Sequence, residues 1–367
     1  MKIAILGTHG IPARYGGFES FAEKLAIDLS MYGYEVTVFC ESSNTTSPIT
    51  FHNVSLRYVS APAHGPIHTI IYDIISLWKA RNKYDVVYML GYGTALFCII
   101  PRLWGAEVWI NLDGHEWARS KWGLVAKCYL RLMEWISLYS ANYIIADAEA
   151  IKISLIKRHM KASSCIVMPY GSKVIDISPA TDLLLSYNIL PMEYYLIVCR
   201  LEPENHVLEI LQAFHNSQSK RQLIVVGDYL SKTRYVAQLN TVNDNRIRMI
   251  GTVYDQDKLT CLRYYSYVYF HGHSVGGTNP SLLEAMGCGN LIYAHDNIFN
   301  RETLGNCGLY FANERELTQI IDTVEKDESS YVQYREASKL RAATNYSWSD
   351  VISRYEAMLL RVSARGV

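Results

Sequence analysis

Lys2-Ile3-Ala4-Ile5-Leu6-Gly7-Thr8-His9-Gly10-Ile11-Pro12-Ala13-Arg14-Tyr15-Gly16-Gly17-Phe18-Glu19 begins the chain with a short apolar run, a glycine-rich loop and the start of an amphipathic segment over Phe18–Tyr32. This reads as strand, loop and helix. The pattern then repeats. Glu35–Cys40, Val54–Val59, Asp85–Leu90, Glu107–Leu112, Tyr143–Ala146 and Ser164–Met168 read as further strands, with helices near Ile67–Arg81 and Lys121–Tyr139. Such alternation predicts a parallel sheet covered by helices on both faces. After Pro169-Tyr170-Gly171 the pattern restarts, with strands at Tyr194–Cys199, Gln222–Val226, Arg248–Ile250, Tyr267–Phe270 and Asn290–Tyr293. Helices near Pro203–His215, Ser231–Thr241, Gln256–Tyr265 and Pro280–Met286 separate them. Proline and glycine make 169–179 a plausible hinge. Ser347–Leu360 has the apolar spacing of a closing amphipathic helix.

Composition agrees with two α/β domains. A chain of 367 residues exceeds what one compact core usually serves. Half of the residues are hydrophobic, which excludes disorder. The 35 basic and 35 acidic residues balance, so no whole-chain attraction draws it to nucleic acid. Residues 1–170 hold 16 basic and 13 acidic residues, and the remainder 19 and 22, so the two halves differ slightly in sign. Tyr is abundant (28) and Phe scarce (9), which suits wet clefts or half-buried strands. None of the eight cysteines forms a CxxC pair, and most lie in apolar runs, so free buried thiols in a reducing cytosol are expected. The apolar stretch Val86–Pro101 is too short and too interrupted to span a bilayer. The immediate strand at the N-terminus leaves no room for a signal peptide.

Four loops carry candidate chemistry. The first, Gly7–Glu19, leaves a strand and opens a helix, so its amides can face an anion; it fits neither GxGxxG nor the P-loop pattern. The second, Asn111-Leu-Asp113-Gly-His115-Glu116-Trp117-Ala-Arg119, packs two carboxylates, an imidazole and a guanidinium into seven residues. The third, Cys199-Arg200-Leu-Glu-Pro-Glu-Asn205-His206, sets at a strand end an arginine able to hold phosphate oxygens bidentately. The fourth runs from His271 through Gly276-Gly277-Thr278-Asn279-Pro280-Ser281 to Glu284. Its helix amides suit a diphosphate, and Glu284 one turn later suits a ribose diol. Asp255-Gln256-Asp257 has the spacing of a metal–nucleotide motif, but it opens a helix and reads as an N-cap. The histidines show no metal-ligand spacing, and no metal is assigned.

Taken together, these loops resemble the GT-B glycosyltransferases of the large retaining family 4, over essentially the whole chain. The blocks most similar to a bacterial rhamnosyltransferase-like subgroup are Gly7–Glu19, Asp113-Gly-His-Glu-Trp117, Arg200–Asn205, Gly277–Met286 and His295–Arg301. The resemblance implies two Rossmann-like parallel-sheet domains facing a central cleft: 1–169 on the acceptor side, 170–346 binding the nucleotide sugar, and a C-terminal helix, 347–367, crossing back to the first domain. Glu284 matches the second Glu of the family's E-x7-E motif; the first would fall at Gly276, which leaves sugar recognition to Gly276–Asn279 or to other side chains. Arg200 matches the phosphate-binding arginine, but the lysine that usually follows would fall at Asn205 or His206.

The implied activity is retaining transfer of a hexose, most simply L-rhamnose from dTDP-L-rhamnose, onto a lipid-diphosphate-linked saccharide in bacterial surface-polysaccharide (O-antigen or capsule) synthesis. No cofactor beyond the donor is expected. Catalysis would fall to Asp113, His115, Glu116 and Arg200. Gly16, Gly17, Arg200, Asn205, Gly277, Thr278, Asn279, Ser281 and Glu284 would bind the donor. Arg14, Tyr15, Glu19, Trp117 and Arg119 would bind the acceptor. The Trp and Lys/Arg content of 117–139 would suit a peripheral position on the cytoplasmic membrane face. A UDP- or GDP-hexose donor is the main alternative. A sugar-nucleotide epimerase on the same scaffold, a nicotinamide oxidoreductase and a non-catalytic sugar-binding module are others.

Overall fold

The computed structural model describes residues 1–13, 16–42, 49–62, 65–112, 114–159 and 164–365. In chain order, the first half runs β1 (Lys2–Leu6), α1 (Gly17–Met31), β2 (Glu35–Glu41), β3 (Thr50–Phe51), β4 (Val54–Val59), α2 (Pro66–Ala80), β5 (Val86–Leu90), α3 (Ile99–Leu103), β6 (Glu107–Asn111), α4 (Leu124–Ser140), β7 (Tyr143–Ala146), α5 (Glu149–Arg158) and β8 (Cys165–Val167). The second runs α6 (Asp182–Leu185), β9 (Tyr194–Val198), α7 (Val207–Asn216), β10 (Gln222–Val226), α8 (Arg234–Leu239), β11 (Ile247–Gly251), α9 (Gln256–Tyr264), β12 (Val268–His271), α10 (Pro280–Gly287), β13 (Ile292–His295), α11 (Ile298–Leu304), β14 (Leu309–Phe311), α12 (Glu314–Val324) and α13 (Val332–Asn345). Helix α14 (Trp348–Arg365) closes the chain. Two compact units result: Met1–Pro169 with Ser349–Val367, and Tyr170–Trp348.

The first unit holds an eight-stranded sheet in the order β3-β4-β2-β1-β5-β6-β7-β8, parallel except for the β3–β4 pair. Strand order reverses at β1, which pairs with β2 on one side and β5 on the other. In an open parallel sheet such a switch point opens a crevice at the carboxyl ends of the strands. Gly7, straight after β1, has φ +84°, and a Cβ there would lie 2.1 Å from the Leu90 carbonyl oxygen. Only glycine lets the loop leave β1 so close to the end of β5. Within this unit α14 buries Tyr355, whose hydroxyl lies 2.8 Å from that of Tyr88; Asn111 donates to the Tyr88 oxygen at 3.0 Å.

The second unit holds a six-stranded parallel sheet, β11-β10-β9-β12-β13-β14, with its switch point between β9 and β12. Its core packs Tyr195, Ile210, Phe214, Phe270 and Tyr293 with the aliphatic side chains of the sheet and helices. The buried tyrosines account for much of the Tyr excess. Tyr194, Tyr195, Tyr269 and Tyr293 are fully buried in strands, and three of them keep a partner: Tyr194 donates to the Leu262 carbonyl, Tyr195 to Glu325 and Tyr269 to the Val198 carbonyl. A ring that fills core volume and still bonds at its rim is tolerated inside.

Two differences from the sequence reading matter. The helix expected over Pro203–His215 is two pieces, a 3-10 turn over Pro203–Asn205 and α7, separated by His206 at φ +47°. Residues 298–345, given no element on sequence grounds, hold α11, β14, α12 and α13. The eight cysteines are free, and Cys128 is the exposed one.

Candidate functional site

The loops at the second switch point are cross-braced before any ligand arrives. Arg200 follows β9 by one residue and stands two-fifths exposed, 3.9 Å from Glu202. Asn205, nearly buried, donates from Nδ2 to the Arg200 carbonyl at 2.6 Å. Its Oδ1 therefore faces His273 Nδ1, 2.7 Å away, and that nitrogen must carry the proton. The bridge ties the loop after β9 to the loop after β12. Gly272 permits it: a Cβ there would sit 2.0 Å from the Asn205 carbonyl oxygen. Asn205 is thus placed as a brace between loops. Gly276 has φ +139°, and Gly277 and Thr278 are buried within the same loop.

Helix α10 starts without spare amides. Pro280 has no N–H, and the Asn279 side chain accepts from Ser281 N at 2.9 Å. Leu282 N and Leu283 N both reach the Asn279 carbonyl. The expected cradle of helix amides is therefore already bonded internally, and what remains for an anion is the helix dipole. The Ser281 hydroxyl is equally committed, 2.7 Å from Tyr269 Oη, 3.0 Å from the Val198 carbonyl and 3.2 Å from Arg263 Nη2.

Glu284 differs. Arg263, with a side chain only 4% exposed, reaches its carboxylate at 2.6 Å, while the Glu284 side chain is 45% exposed. A buried cation thus holds an outward-facing carboxylate, an acceptor pair ready for a diol. His271, at the end of β12, is buried, and burial lowers its pKa to about 3, so its ring is neutral.

In the first unit, α1 begins at Gly17 after Gly16, at φ +112°. Glu19 is buried and turns back onto the loop, where Oε1 accepts from Thr8 Oγ1 at 3.3 Å and His9 N at 3.2 Å. It holds the loop from inside. His9 Nδ1 lies 3.0 Å from Glu41, a contact that raises its pKa against the opposing effect of burial. Asp73 on α2 is buried beside this loop. Thr94 donates to its Oδ2 at 3.2 Å, its Oδ1 has no hydrogen-bond partner among the described residues, and burial raises its pKa to about 7.

The loop after β6 is a self-contained network. Glu116 pairs with Arg119 at 2.8 Å and Lys121 at 3.2 Å, and accepts from Trp122 Nε1 at 3.0 Å. Trp117 Nε1 donates to Glu134 on α4 at 2.9 Å, under Arg131 at 4.4 Å. Glu134 is 2% exposed and also meets Arg158 at 3.0 Å. His115 stacks near Trp117; burial and then Arg158 lower its pKa. Arg14, Tyr15 and Asp113 lie outside the described residues. Asp255 accepts from Asp257 N and Lys258 N, the N-cap read from the sequence.

The sequence reading missed Arg263, Glu134 and Asp73. Glu134 and Asp73 lie mid-helix and Arg263 in the last turn of α9, all away from the loop motifs; a charged residue on the apolar face of its helix was the available signal.

Residues 190–341 match the family described as Glycosyl transferases group 1, and residues 1–173 match a domain of unknown function, DUF1972. No curated protein matches the sequence. The chain is similar to solved structures of the same fold. Anabaena Alr3699/HepE, in complex with UDP and glucose, is 18% identical with a TM-score of 0.79, over 98% of this chain and 100% of that one. Sucrose-phosphate synthase from Thermosynechococcus elongatus is 16% identical with a TM-score of 0.81, over 99% of each chain. The UDP-forming trehalose-phosphate synthase of Burkholderia xenovorans is 14% identical with a TM-score of 0.74, over 99% of each chain. Residues 190–341 thus form a glycosyl transferases group 1 domain, and the chain as a whole has the GT-B fold of these solved structures.

Proposed function

We propose that the chain is a retaining glycosyltransferase that moves L-rhamnose from dTDP-L-rhamnose onto a lipid-diphosphate-linked saccharide in bacterial surface-polysaccharide synthesis. The observation that carries the donor side is the outward Glu284 carboxylate held by buried Arg263, on the same sheet edge as exposed Arg200. Glu284 would accept from the ribose hydroxyls. Arg200 would meet the diphosphate, which gains charge as the glycosidic bond breaks. The Gly276–Asn279 backbone would read the sugar. The acceptor would bind the first unit, with Asp113, His115 or Glu116 orienting the attacking hydroxyl, and Arg14, Tyr15, Glu19, Trp117 and Arg119 around it. Glu116 is committed to three local partners, so among the described residues His115, with its depressed pKa, is the better-suited base.

A lipid-linked acceptor has support in α4. Val125, Leu132, Trp135 and Tyr139 form an exposed apolar stripe, with exposed Lys121 and Arg131 beside it. That pairing suits an anionic bilayer surface on the cytoplasmic side. No helix among the described residues is long and apolar enough to cross a membrane.

A UDP-hexose donor is the second reading, favoured by the structural likeness to HepE bound to UDP and glucose. The test mixes the protein with labelled dTDP-L-rhamnose, UDP-glucose and a GDP-hexose, with a lipid-diphosphate-linked saccharide as acceptor. Transfer from dTDP-L-rhamnose with the anomeric configuration kept supports the first reading; transfer from UDP-glucose alone supports the second. Neither transfer nor donor binding overturns both.

A further inference from the structure

His9 stands in the loop after β1 with its side chain 70% exposed, and it is nonetheless held at three points. Its amide donates to Glu19 Oε1 at 3.2 Å, and its carbonyl accepts from Glu41 N at 3.0 Å. Its ring Nδ1 lies 3.0 Å from Glu41 Oε1. The flanking residues are tied as well. Tyr72 Oη donates to the Thr8 carbonyl at 3.1 Å, and Gly10 N donates to Thr8 Oγ1 at 3.1 Å. Gly10 sits at φ +119°, where a Cβ would lie 2.6 Å from Cys40 Cβ, so the loop runs hard against the end of β2. Glu41 is itself met from a third element, since His68 Nε2 on α2 lies 3.4 Å from the same oxygen.

A carboxylate can only accept, so Nδ1 is the nitrogen that donates to Glu41. That leaves Nε2, on the far side of the exposed ring, turned to solvent. The loop is already fastened through its backbone, so what the imidazole adds is a presented nitrogen of fixed direction. Holding a group still before its ligand arrives lowers the ordering cost of binding.

Charge decides what that nitrogen can meet. The His9 ring faces Glu41 in contact and the carboxyl groups of Glu19 and Asp73 at longer range, with His68 beyond Glu41. An anion brought here would meet three carboxyl groups against two imidazoles. Loop amides do little for it. Those of His9 and Ala13 already serve Glu19 and Glu23, the second at 2.5 Å; that of Gly10 serves Thr8, and Pro12 has none. A phosphate is therefore disfavoured at this end of the loop, and a neutral polyol is not. A hydroxyl both donates and accepts, so it serves Nε2 whether or not that nitrogen carries a proton.

We propose that His9, oriented by Glu41, is a sugar-binding residue whose Nε2 hydrogen-bonds a hydroxyl of the saccharide acceptor. This rests on the reading that the first unit binds the acceptor of a glycosyl transfer. It adds to that side a contact with the neutral sugar, apart from any diphosphate.

The test compares the intact chain with His9→Ala, His9→Gln and Glu41→Gln, using whichever of dTDP-L-rhamnose, UDP-glucose and the GDP-hexose is transferred, at varied concentrations of the lipid-diphosphate-linked saccharide. His9→Ala should raise the acceptor KM roughly tenfold and change kcat by less than about threefold, as for one lost hydrogen bond to bound substrate. Calorimetric affinity for UDP and dTDP and the thermal melt should stay at the intact-chain values, since the backbone anchors remain. His9→Gln, which restores a polar group at similar reach, should recover part of the loss. Glu41→Gln, which loosens the ring, should raise the acceptor KM by a smaller factor. An unchanged acceptor KM in His9→Ala, or a parallel fall in nucleotide affinity, overturns this role while transfer by the intact chain still stands. No transfer by the intact chain from any of the three donors overturns the transfer reading, and this role with it.

Discussion

The two units each bury one partner of an arginine–glutamate pair, but opposite partners. In the second unit Arg263 is buried and Glu284 faces out. In the first, Glu134 is buried, and Arg158, partly exposed, closes over it with the Trp117 indole. The first arrangement presents an acceptor to solvent and holds it still. The second consumes its carboxylate internally and locks a loop onto α4. A carboxylate is useful to a ligand only when its cation is the buried member, and this is what separates the two edges.

Arg263→Leu should show the largest effect. It removes a charged hydrogen-bond partner from Glu284 and one from Ser281, costing about 3 kcal/mol of stability. Donor affinity should fall about a hundredfold, because Glu284 is then free to rotate. Urea denaturation with donor titration checks both; unchanged donor affinity would break the comparison.

Asp73 tests what happens when a buried carboxylate has no ion-pair partner among the described residues, with only the longer-range pull of His9. Its folded pKa is raised to about 7, so the folded state binds the extra proton between the unfolded value near 4 and pH 7. Stability is therefore full below about pH 4 and is lost as pH rises toward 7. The loss is on the order of 4 kcal/mol, at about 1.4 kcal/mol for each of roughly three units. Asp73→Asn should remove that slope, seen as a flatter plot of unfolding free energy against pH.

Glu134→Ala should cost about 2 kcal/mol, since it strips partners from Trp117 and Arg158. Donor affinity should not change. A loss of donor binding would mean that the loop after β6 does more than brace itself.

Glu284→Ala and Arg200→Ala should each lower turnover about tenfold or more, equal to roughly 1.5 kcal/mol. Arg200→Ala should cost little stability because its side chain is substantially exposed, whereas Glu284→Ala also leaves the buried Arg263 guanidinium without its carboxylate and should cost about 2 kcal/mol. Steady-state rates alongside thermal melts separate the two.

Much of the fold was legible because strands with period-two or continuous apolar runs stand out against helices, and the glycine loops mark where one ends. Lys2–Leu6, Val54–Val59, Tyr143–Ala146 and Gln222–Val226 were readable to the residue. The break at His206 was not, because nothing in Pro-Glu-Asn-His-Val specifies a left-handed residue; the loop contacts of Asn205 and Ser274 impose it. Loop residues such as Arg200 and Glu284 could be found, since strand ends and glycines point to them. Their supports could not. Arg263 and Glu134 act from the buried faces of helices, and only the folded geometry shows which charge each one meets. The helix-amide cradle at α10 was misjudged for a similar reason: Asn279 caps its own helix and takes the amides first.

The central claim is that the second unit holds a nucleoside-diphosphate sugar through Glu284, oriented by Arg263. Calorimetric titration of UDP and dTDP into the intact chain and into Glu284→Ala tests it most directly. The account predicts saturable one-to-one binding by the intact chain, weakened at least tenfold in the variant with folding intact. Equal affinity in both, or no nucleotide binding by the intact chain, would contradict it.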